Sequence, residues 1–216
     1  MASKSIEKRA GTGLRRGTAQ RRAGKETAAR IVQAAQEVLS EKGHTRFSMR
    51  NVAEQAGVSL ANVQYYFPRQ EDLVKAIFDD LGSRYRSAYT ECLKAAGPSA
   101  QERFEAVLRF NLGDITDART KRFFLQLWAL LSNFEEACGE LLEQLYAVDI
   151  EQLNEHISAL DPTADAREIT TRSTLLAAMI EGLMVVLGNR SPDSPETRAL
   201  LERAHQQGLA IARGVS

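Results

Sequence analysis

Apolar residues recur every three to four positions along most of the chain, which is the period of an amphipathic α-helix. The most regular run follows Gln70 and repeats every four residues, at Leu73, Ile77, Leu81 and Tyr85. No segment alternates between apolar and polar residues long enough to form a sheet strand, and no internal repeat is present. The pattern therefore predicts an all-α protein.

Start and stop signals divide the N-terminal third into predicted helices. One helix is expected from about Lys25 to a stop at Gly43, because glycine commonly ends helices. Ser48 and Ser59 each precede a short apolar pattern, as helix-capping residues do. A long helix is expected from about Gln70. Its first turn contains Glu71 and Asp72, and the helix dipole favours acidic residues at this end.

The remaining two thirds contain equally plain helix signals. Ser99 and Glu102 have the spacing of a capping box, and the run from Ser194 to Glu196 has a cap, a proline and an acid in the order expected at a helix start. After the helix that begins at Ser99, further helices are predicted over residues 119–132, 134–159, 164–188 and 195–213.

The charge distribution separates the two ends of the chain. The 216 residues contain 28 Lys+Arg and 28 Asp+Glu. Residues 1–75 contain 14 basic and 7 acidic residues, and residues 76–216 therefore contain 14 basic and 21 acidic residues. A basic end indicates an anionic partner. Residues 1–24 contain few large apolar residues and are predicted to be a disordered basic arm, which either follows DNA or is a solvated tail.

Several function classes are excluded by composition. Cys92 and Cys138 are too few for a disulfide scaffold or a four-cysteine zinc site, and His44, His156 and His205 form no closely spaced pair. No nucleophile or phosphate-loop motif is complete. We therefore expect no enzyme activity, no catalytic residue, no metal and no cofactor.

The longest apolar stretch, Thr174–Gly188, is interrupted by Glu181 and is shorter than the roughly 20 residues of a membrane helix. The N-terminus is basic but has no apolar core of a secretory signal. These features predict a cytoplasmic protein with no membrane partner.

Residues 47–68, FSMRNVAEQAGVSLANVQYYFP, have the pattern of a helix-turn-helix. The small Ala53 lets two helices cross closely, Gly57 can adopt the positive φ of the turn, and Ser59 caps the second helix while Val63 points into the core. In this motif the second helix enters the major groove of DNA.

The exposed side chains of this motif can contact DNA. The amides of Asn62 and Gln64 can pair with adenine, and Leu60 can touch a thymine methyl group. Tyrosine hydroxyls, Arg50 and the amides at helix starts can reach phosphates, although the tyrosines could equally pack and Arg50 could be solvated. The predicted DNA-binding residues are Ser48, Arg50, Ser59, Leu60, Ala61, Asn62, Gln64, Tyr65 and Tyr66.

Over residues 27–80 the chain resembles the TetR family of bacterial transcriptional repressors. The resemblance rests on the order Arg50-x-Val52-Ala53-x-x-Ala56-Gly57-Val58-Ser59, then Tyr65-Tyr66-Phe67-Pro68, then Glu71-Asp72-Leu73. It implies an N-terminal three-helix DNA-binding domain followed by a larger helical domain that binds a ligand and dimerises. The expected division is an arm at 1–24, a DNA-binding domain at 25–70 with its motif at about 48–67, and a ligand-binding and dimerisation domain at 71–216.

The body of the chain contains candidates for that ligand site. Residues 104–157 are rich in aromatic side chains, most of which should pack in the core, while the resemblance implies that some line a ligand cavity. Glu181 is expected at the cavity floor, at a helix terminus across the dimer interface, or as a partly exposed carboxylate at the cavity rim. The candidate ligand-binding residues are Phe110, Asn111, Phe124, Trp128, Asn133, His156 and Glu181. The helices at 164–188 and 195–213 are expected to form a homodimer interface.

These observations predict a ligand-responsive regulator, most simply a repressor that binds a palindromic operator as a dimer and leaves it when a small-molecule inducer binds. Activation of transcription stays open. The alternative is a helical small-molecule or protein-binding module that has lost specific DNA binding, because Leu60 and Gln70 stand where many family members have cationic residues.

Overall fold

The computed structural model describes residues 4–134 and 137–215, with side chains described from residue 22 onward. Within these residues the chain forms only helices and connecting turns, which confirms the all-α prediction. The helices are α1 (Lys4–Lys42), α2 (Met49–Ala56), α3 (Leu60–Tyr66), α4 (Gln70–Lys94), α5 (Ala100–Asp114), α6 (Ala118–Leu131), α7 (Cys138–Leu160), α8 (Ala166–Leu187) and α9 (Pro195–Arg213).

The chain divides into two compact units, Met1–Ile77 and Phe78–Ser216, and the division falls within α4. In the first unit, α1 packs on α2 and α3. Their apolar faces meet in a small core that includes Ile31, Leu39, Val52 and Val63, all fully buried. The three-helix arrangement thus follows from the apolar stripes of three amphipathic helices.

The helix α1 differs from its prediction at its N-terminal end. Its backbone is helical from Lys4, whereas the sequence predicts a disordered arm over residues 1–24 and a helix only from about Lys25. Arginine, which is frequent in this segment, has high helix propensity, and this local preference favours a helical backbone. Residues 1–3 and the side chains up to residue 21 lie outside the described residues.

The second unit is a bundle in which α7 and α8 pack together, α5 packs on both α7 and α9, and α8 packs on α9. Large side chains from four helices fill its core, among them Phe104, Leu127, Leu153 and Leu176. Burial of such side chains is the main source of stability in a bundle.

Two polar ties connect helix ends in this unit. The Lys121 ammonium group on α6 donates to the carbonyl oxygen of Gly188 at 2.7 Å, just after α8. The Arg172 guanidinium on α8 binds the carboxylate of Asp161 at 2.8 Å and the carbonyl oxygen of Ala212 at 3.3 Å. These contacts fix α8 against the ends of α7 and α9.

The predicted caps are present. Ser99 and Glu102 form a reciprocal capping box, with the Glu102 N–H 3.2 Å from the Ser99 Oγ and the Ser99 N–H 3.0 Å from the Glu102 Oε2. The Ser194 Oγ accepts from the Thr197 N–H at the start of α9. Sequence signals for helix starts therefore located these two helices to the residue.

Two predicted helix ends differ from the structure. A helix was predicted over 134–159, but α7 begins at Cys138, because α6 closes in tight turns where the Asn133 and Phe134 N–H groups bond to carbonyls three residues earlier. The helix predicted over 164–188 starts at Ala166, since the Asp165 carboxylate caps it by accepting from the Glu168 N–H at 2.8 Å.

Among the described residues, α8 is long and apolar enough to cross a membrane by length and composition, although the sequence predicted a shorter apolar stretch. A core helix that packs against other helices can have the same length and apolar composition, and α8 contacts α6, α7 and α9. Its outer side nevertheless leaves Leu175, Val185 and Val186 more than half exposed.

Candidate functional site

The helix-turn-helix geometry is set by local hydrogen bonds. The Ser48 Oγ accepts from the Asn51 N–H at 3.2 Å, and the Ser59 Oγ accepts from the Asn62 N–H at 3.1 Å. Between α2 and α3, Gly57 has φ +64°, a left-handed conformation that favours glycine. Each serine hydroxyl is thus already bonded to a helix start, and only its hydrogen remains free to contact a phosphate.

The orientation of α3 is set by a single buried residue. Val63 is fully buried against α1 and α2, while its neighbours on the other sides of α3 point to solvent. The exposed predicted DNA-binding residues on or next to α3 are Ser59, Leu60, Ala61, Asn62, Gln64 and Tyr65. The seven residues of α3 therefore present one continuous outer face, which we call the α3 face.

The tyrosines at the end of α3 differ in their surroundings. The Tyr65 side chain is 79% exposed, whereas Tyr66 is half-buried and lies close to Gly24 of α1. Their rings meet edge to face with centroids 5.1 Å apart. This arrangement supports packing for Tyr66 and leaves the hydroxyl of Tyr65 free to bind a partner.

Exposed cations lie close to the motif in sequence. Arg46 and Arg50 are exposed just before and at the start of α2. Arg69 instead forms an ion pair with Asp72 at 3.2 Å, and this contact lowers the pKa of the Asp72 carboxyl. Arg50 is therefore better placed than Arg69 to contact a phosphate.

The second unit contains a cavity with about 730 Å³ of empty space, part of it open to solvent. It is bordered by α4, α5, α6, α7 and α8, and its volume lies within the range of small-molecule sites. Its lining residues are Phe78, Leu81, Gly82, Tyr85, Asn111, Asp114, Ile115, Thr120, Phe124, Leu145, Tyr146, Val148, Asp149, Gln152, Ala177, Ile180, Glu181 and Met184.

Three of the seven predicted ligand-binding residues, Asn111, Phe124 and Glu181, lie in this lining. Two more contact lining residues: the Phe110 ring packs edge-on against Tyr85, and the Trp128 indole N–H donates to a tyrosine hydroxyl of the lining.

The other two candidates lie away from the cavity. Asn133 is exposed in the turn after α6, and His156 is half-buried on α7 outside the lining. Burial and the nearby Arg103 lower the pKa of His156, which favours a neutral imidazole. The structure therefore does not bring these two residues to the cavity.

Hydroxyl and amide groups organise the acidic side of the cavity. The Tyr85 hydroxyl donates to Asp114 Oδ2 at 2.6 Å. The Tyr89 hydroxyl lies 2.9 Å from Asn111 Oδ1 and 3.3 Å from Asp149 Oδ1. Because a hydroxyl has one hydrogen, it can satisfy only one of these acceptors at a time.

Burial shifts the pKa values of the groups around the cavity. It raises the pKa of Tyr85 and of Asp149. For Glu181, burial together with the charges of Asp149 and Asp114 raises the pKa to about 7. The carboxyl groups of Asp149 and Glu181 thus lie in an environment that opposes their ionisation.

Sequence reasoning missed Tyr85, Asp114, Tyr146 and Asp149 as lining residues. One signal could have identified Asp149, which interrupts a stripe of apolar residues repeating every four positions on α7, namely Leu141, Leu145, Leu153 and Ile157. A carboxylate inside such a stripe must face the protein interior, and buried acids occur at functional sites.

No group of three or more His, Cys, Asp or Glu side chains in the described part of the chain could hold a metal ion. The acidic groups around the cavity are therefore too dispersed to bind a single metal.

Residues 31–77 match the family model of bacterial regulatory proteins, tetR family. An uncharacterized HTH-type transcriptional regulator in the dhlA 5′ region of Xanthobacter autotrophicus is 30% identical over 158 residues, which cover 72% of this chain and 77% of that protein. The HTH-type transcriptional regulator BetI of Rhizobium meliloti is 30% identical over 157 residues, covering 72% of this chain and 74% of that protein.

Solved structures share the fold. A TetR transcription regulator from Haloarcula marismortui superimposes with a TM-score of 0.66 at 20% identity, covering 88% of this chain and 98% of that chain. The reduced form of NemR from E. coli gives a TM-score of 0.68 at 17% identity, covering 86% of this chain and 97% of that chain. At these sequence identities, the two structures show that the fold is shared and nothing about function.

Proposed function

The chain belongs to the tetR family of bacterial regulatory proteins, and from this premise we propose that it is a repressor that binds a palindromic operator as a dimer and is released by a small-molecule inducer. It is a transcriptional regulator with a helix-turn-helix DNA-binding domain and not an enzyme, as its relatives are transcriptional regulators. Binding to the bacterial chromosome would place it in the cytoplasm.

Sequence-specific DNA binding is best supported by the exposed side chains of the α3 face. Asn62 and Gln64 are exposed on α3, whose position is held by the buried Val63 and by the Ser59 cap. Amide side chains on a rigid exposed helix can read adenine in the major groove. Arg50, which is exposed at the start of α2, is proposed to bind a phosphate and so to set the register of the helix.

Dimer formation is proposed to bury the exposed apolar side of α8. Leu175, Val185 and Val186 are 55%, 51% and 66% exposed in one chain. Apolar side chains grouped on one surface mark an interaction site, and α9 packs beside α8. A dimer would place two α3 faces about one helical turn of DNA apart, ~34 Å, on a palindromic site.

The inducer is proposed to bind in the cavity of the second unit. It can release DNA only if it binds more tightly to a conformation that does not fit the operator, since its differential affinity is the only source of coupling. The volume of the cavity and its mixture of apolar and polar lining residues support a small organic ligand.

Selection of genomic DNA fragments on the purified protein at two salt concentrations tests the proposal. We expect enrichment of a palindrome whose binding weakens steeply as salt rises, because phosphate contacts release counterions. The variant Val186→Asp, which places a charge on the apolar side of α8, should reduce both dimerisation and operator affinity. Retention of fragments with no shared sequence would contradict specific recognition.

The alternative, a binding module without specific DNA recognition, draws support from Leu60. This side chain is 39% exposed at the start of α3, where a cation would strengthen phosphate contacts. A folded, ligand-free dimer that retains no fragment at either salt concentration would favour this alternative over the repressor.

A further inference from the structure

The cavity of the second unit is acidic. Its lining includes the carboxyl groups of Asp114, Asp149 and Glu181, and the described lining residues include no Lys, Arg or His. The guanidinium of Arg86 lies beside Gly82 at the edge of the lining, on an exposed side chain. Carboxyl groups are therefore the only ionisable acids or bases with a low pKa that the described lining offers to an occupant, and a nearby cation favours their ionised form.

These carboxyl groups lack the partners that buried acids normally have. In the described part of the chain, Asp114 and Asp149 contact only neutral hydroxyl groups, those of Tyr85, Thr120 and Tyr89. The Glu181 Oε2 is completely buried and has no hydrogen-bond partner there. Burial of a carboxylate without a cation is costly, so a positive charge in the cavity would be strongly stabilised.

Aromatic rings border the same space. Tyr85, Phe124 and Tyr146 line the cavity, and the faces of aromatic rings attract cations through their quadrupoles. The acids are not grouped closely enough to coordinate a metal ion. Negative charge spread around an aromatic and aliphatic wall fits a bulky cation with a diffuse charge better than it fits a compact ion.

We propose that the ligand of this cavity is an organic cation, a quaternary ammonium ion or protonated amine with an apolar body. The ammonium group lies among Asp114, Asp149 and Glu181, and the apolar body lies against side chains such as Phe78, Ile180 and Met184. This assignment rests on the proposed function in one respect, namely that the cavity is the inducer site.

The test uses three probes of similar shape and different charge: phenyltrimethylammonium, its neutral carbon isostere tert-butylbenzene, and the anion benzoate. The fluorescence of Trp128, the single tryptophan of the chain, reports binding because its indole N–H donates to the Tyr146 hydroxyl at 2.9 Å. Calorimetry provides a second readout. We expect the cation to bind about tenfold or more tightly than the isostere, and benzoate not to bind.

Two variants test whether the acidic side chains of the cavity cause the preference for the cation. Glu181→Gln and Asp149→Asn keep the shape of the side chain and remove its charge, so each should weaken phenyltrimethylammonium binding about fivefold or more while leaving tert-butylbenzene binding unchanged. Glu151→Gln is the matched control, because Glu151 is an exposed acid two residues after Asp149 on α7 and outside the lining. It should bind the cation as the wild type does.

The cation assignment is overturned if the neutral isostere binds as tightly as the cation, if none of the probes binds, or if both charge-removing variants bind the cation unchanged. Adding the probes to the protein–operator complex separates this result from the proposed function. A cation that binds the cavity without releasing DNA contradicts the inducer role but supports the ligand class. Release by benzoate or by the isostere alone supports induction and contradicts the ligand class.

Discussion

The polar groups of the α3 face and those of the cavity in the second unit differ in their exposure to water. On the α3 face, Asn62 and Gln64 are exposed, and water can satisfy them until a partner arrives. In the cavity, the Glu181 Oε2 is buried without a partner among the described residues, and burial raises the pKa of Asp149. Exposed amides thus cost the free protein little, whereas burial destabilises the ionised forms of Asp149 and Glu181.

The largest expected effect comes from removing the reading groups. Asn62→Ala combined with Gln64→Ala should reduce affinity for the selected operator by about 100-fold or more, since each bidentate base contact contributes about 1–3 kcal/mol. Affinity for unrelated DNA should change little, because phosphate contacts remain. Competition binding against both DNAs measures this. Gln33→Ala, on the exposed side of α1, is the control, and an unchanged operator preference in the double variant would refute the role of the α3 face.

The second prediction concerns the cost of the buried acid. The pKa of Glu181 rises from 4.5 to about 7 on folding, so its stabilising contribution is complete below pH 4.5 and is lost as the pH rises through 7. Glu181→Gln should therefore stabilise the protein at pH 8.5 by up to about 3 kcal/mol and have little effect at pH 4.5.

Thermal unfolding of the Glu181→Gln variant at these two pH values provides the measurement, with Glu151→Gln as the control that should show no such difference. An equal change in melting temperature at both pH values would mean that the Glu181 carboxyl is not destabilised by burial.

The third prediction tests the turn of the motif. A Cβ at Gly57 would meet no atom within 4 Å, so Gly57→Ala introduces no clash but strains a backbone with φ +64°. We expect a loss of about 1–2 kcal/mol in unfolding free energy. Gly113→Ala is the matched comparison in helix α5, where open space also surrounds the new Cβ and stability should rise by about 0.5–1 kcal/mol. Denaturant unfolding of both variants distinguishes the two signs.

The smallest predicted effect is that of Arg50→Ala. Loss of one phosphate contact should weaken binding a few-fold on every sequence and reduce the slope of log affinity against log salt by about 0.9. Arg119→Ala removes the same charge from an exposed position in the second unit and should leave the slope unchanged. A reduction confined to one DNA sequence would indicate a base contact instead.

The predictions that succeeded depend on residues close together in the chain. Ser99 and Glu102 cap α5, and Ser194 caps α9 as expected, because a cap joins groups only three residues apart. The same holds for Ser48, Gly57 and Ser59 in the helix-turn-helix. The less accurate start of α7 lies where the sequence has no capping residue, since Ala137 stands at the N-cap position and makes no side-chain hydrogen bond to the helix.

The ligand candidates were located less well for a related reason. Asn111, Phe124 and Glu181 line the cavity, whereas Asn133 and His156, which are of similar polar types, lie elsewhere. Residue type alone does not show which side of a helix a side chain occupies.

The sequence by itself determined the helical class, the positions of the capped helices and the motif with its exposed polar residues, since these depend on hydrogen bonds and apolar spacing within one or two helices. Only the tertiary structure decided which side chains surround the cavity. Its lining comes from five helices between Phe78 and Met184, and the acids Asp114, Asp149 and Glu181 border one cavity only after those helices pack. The acidic lining, and the ligand class proposed from it, are properties of that packing.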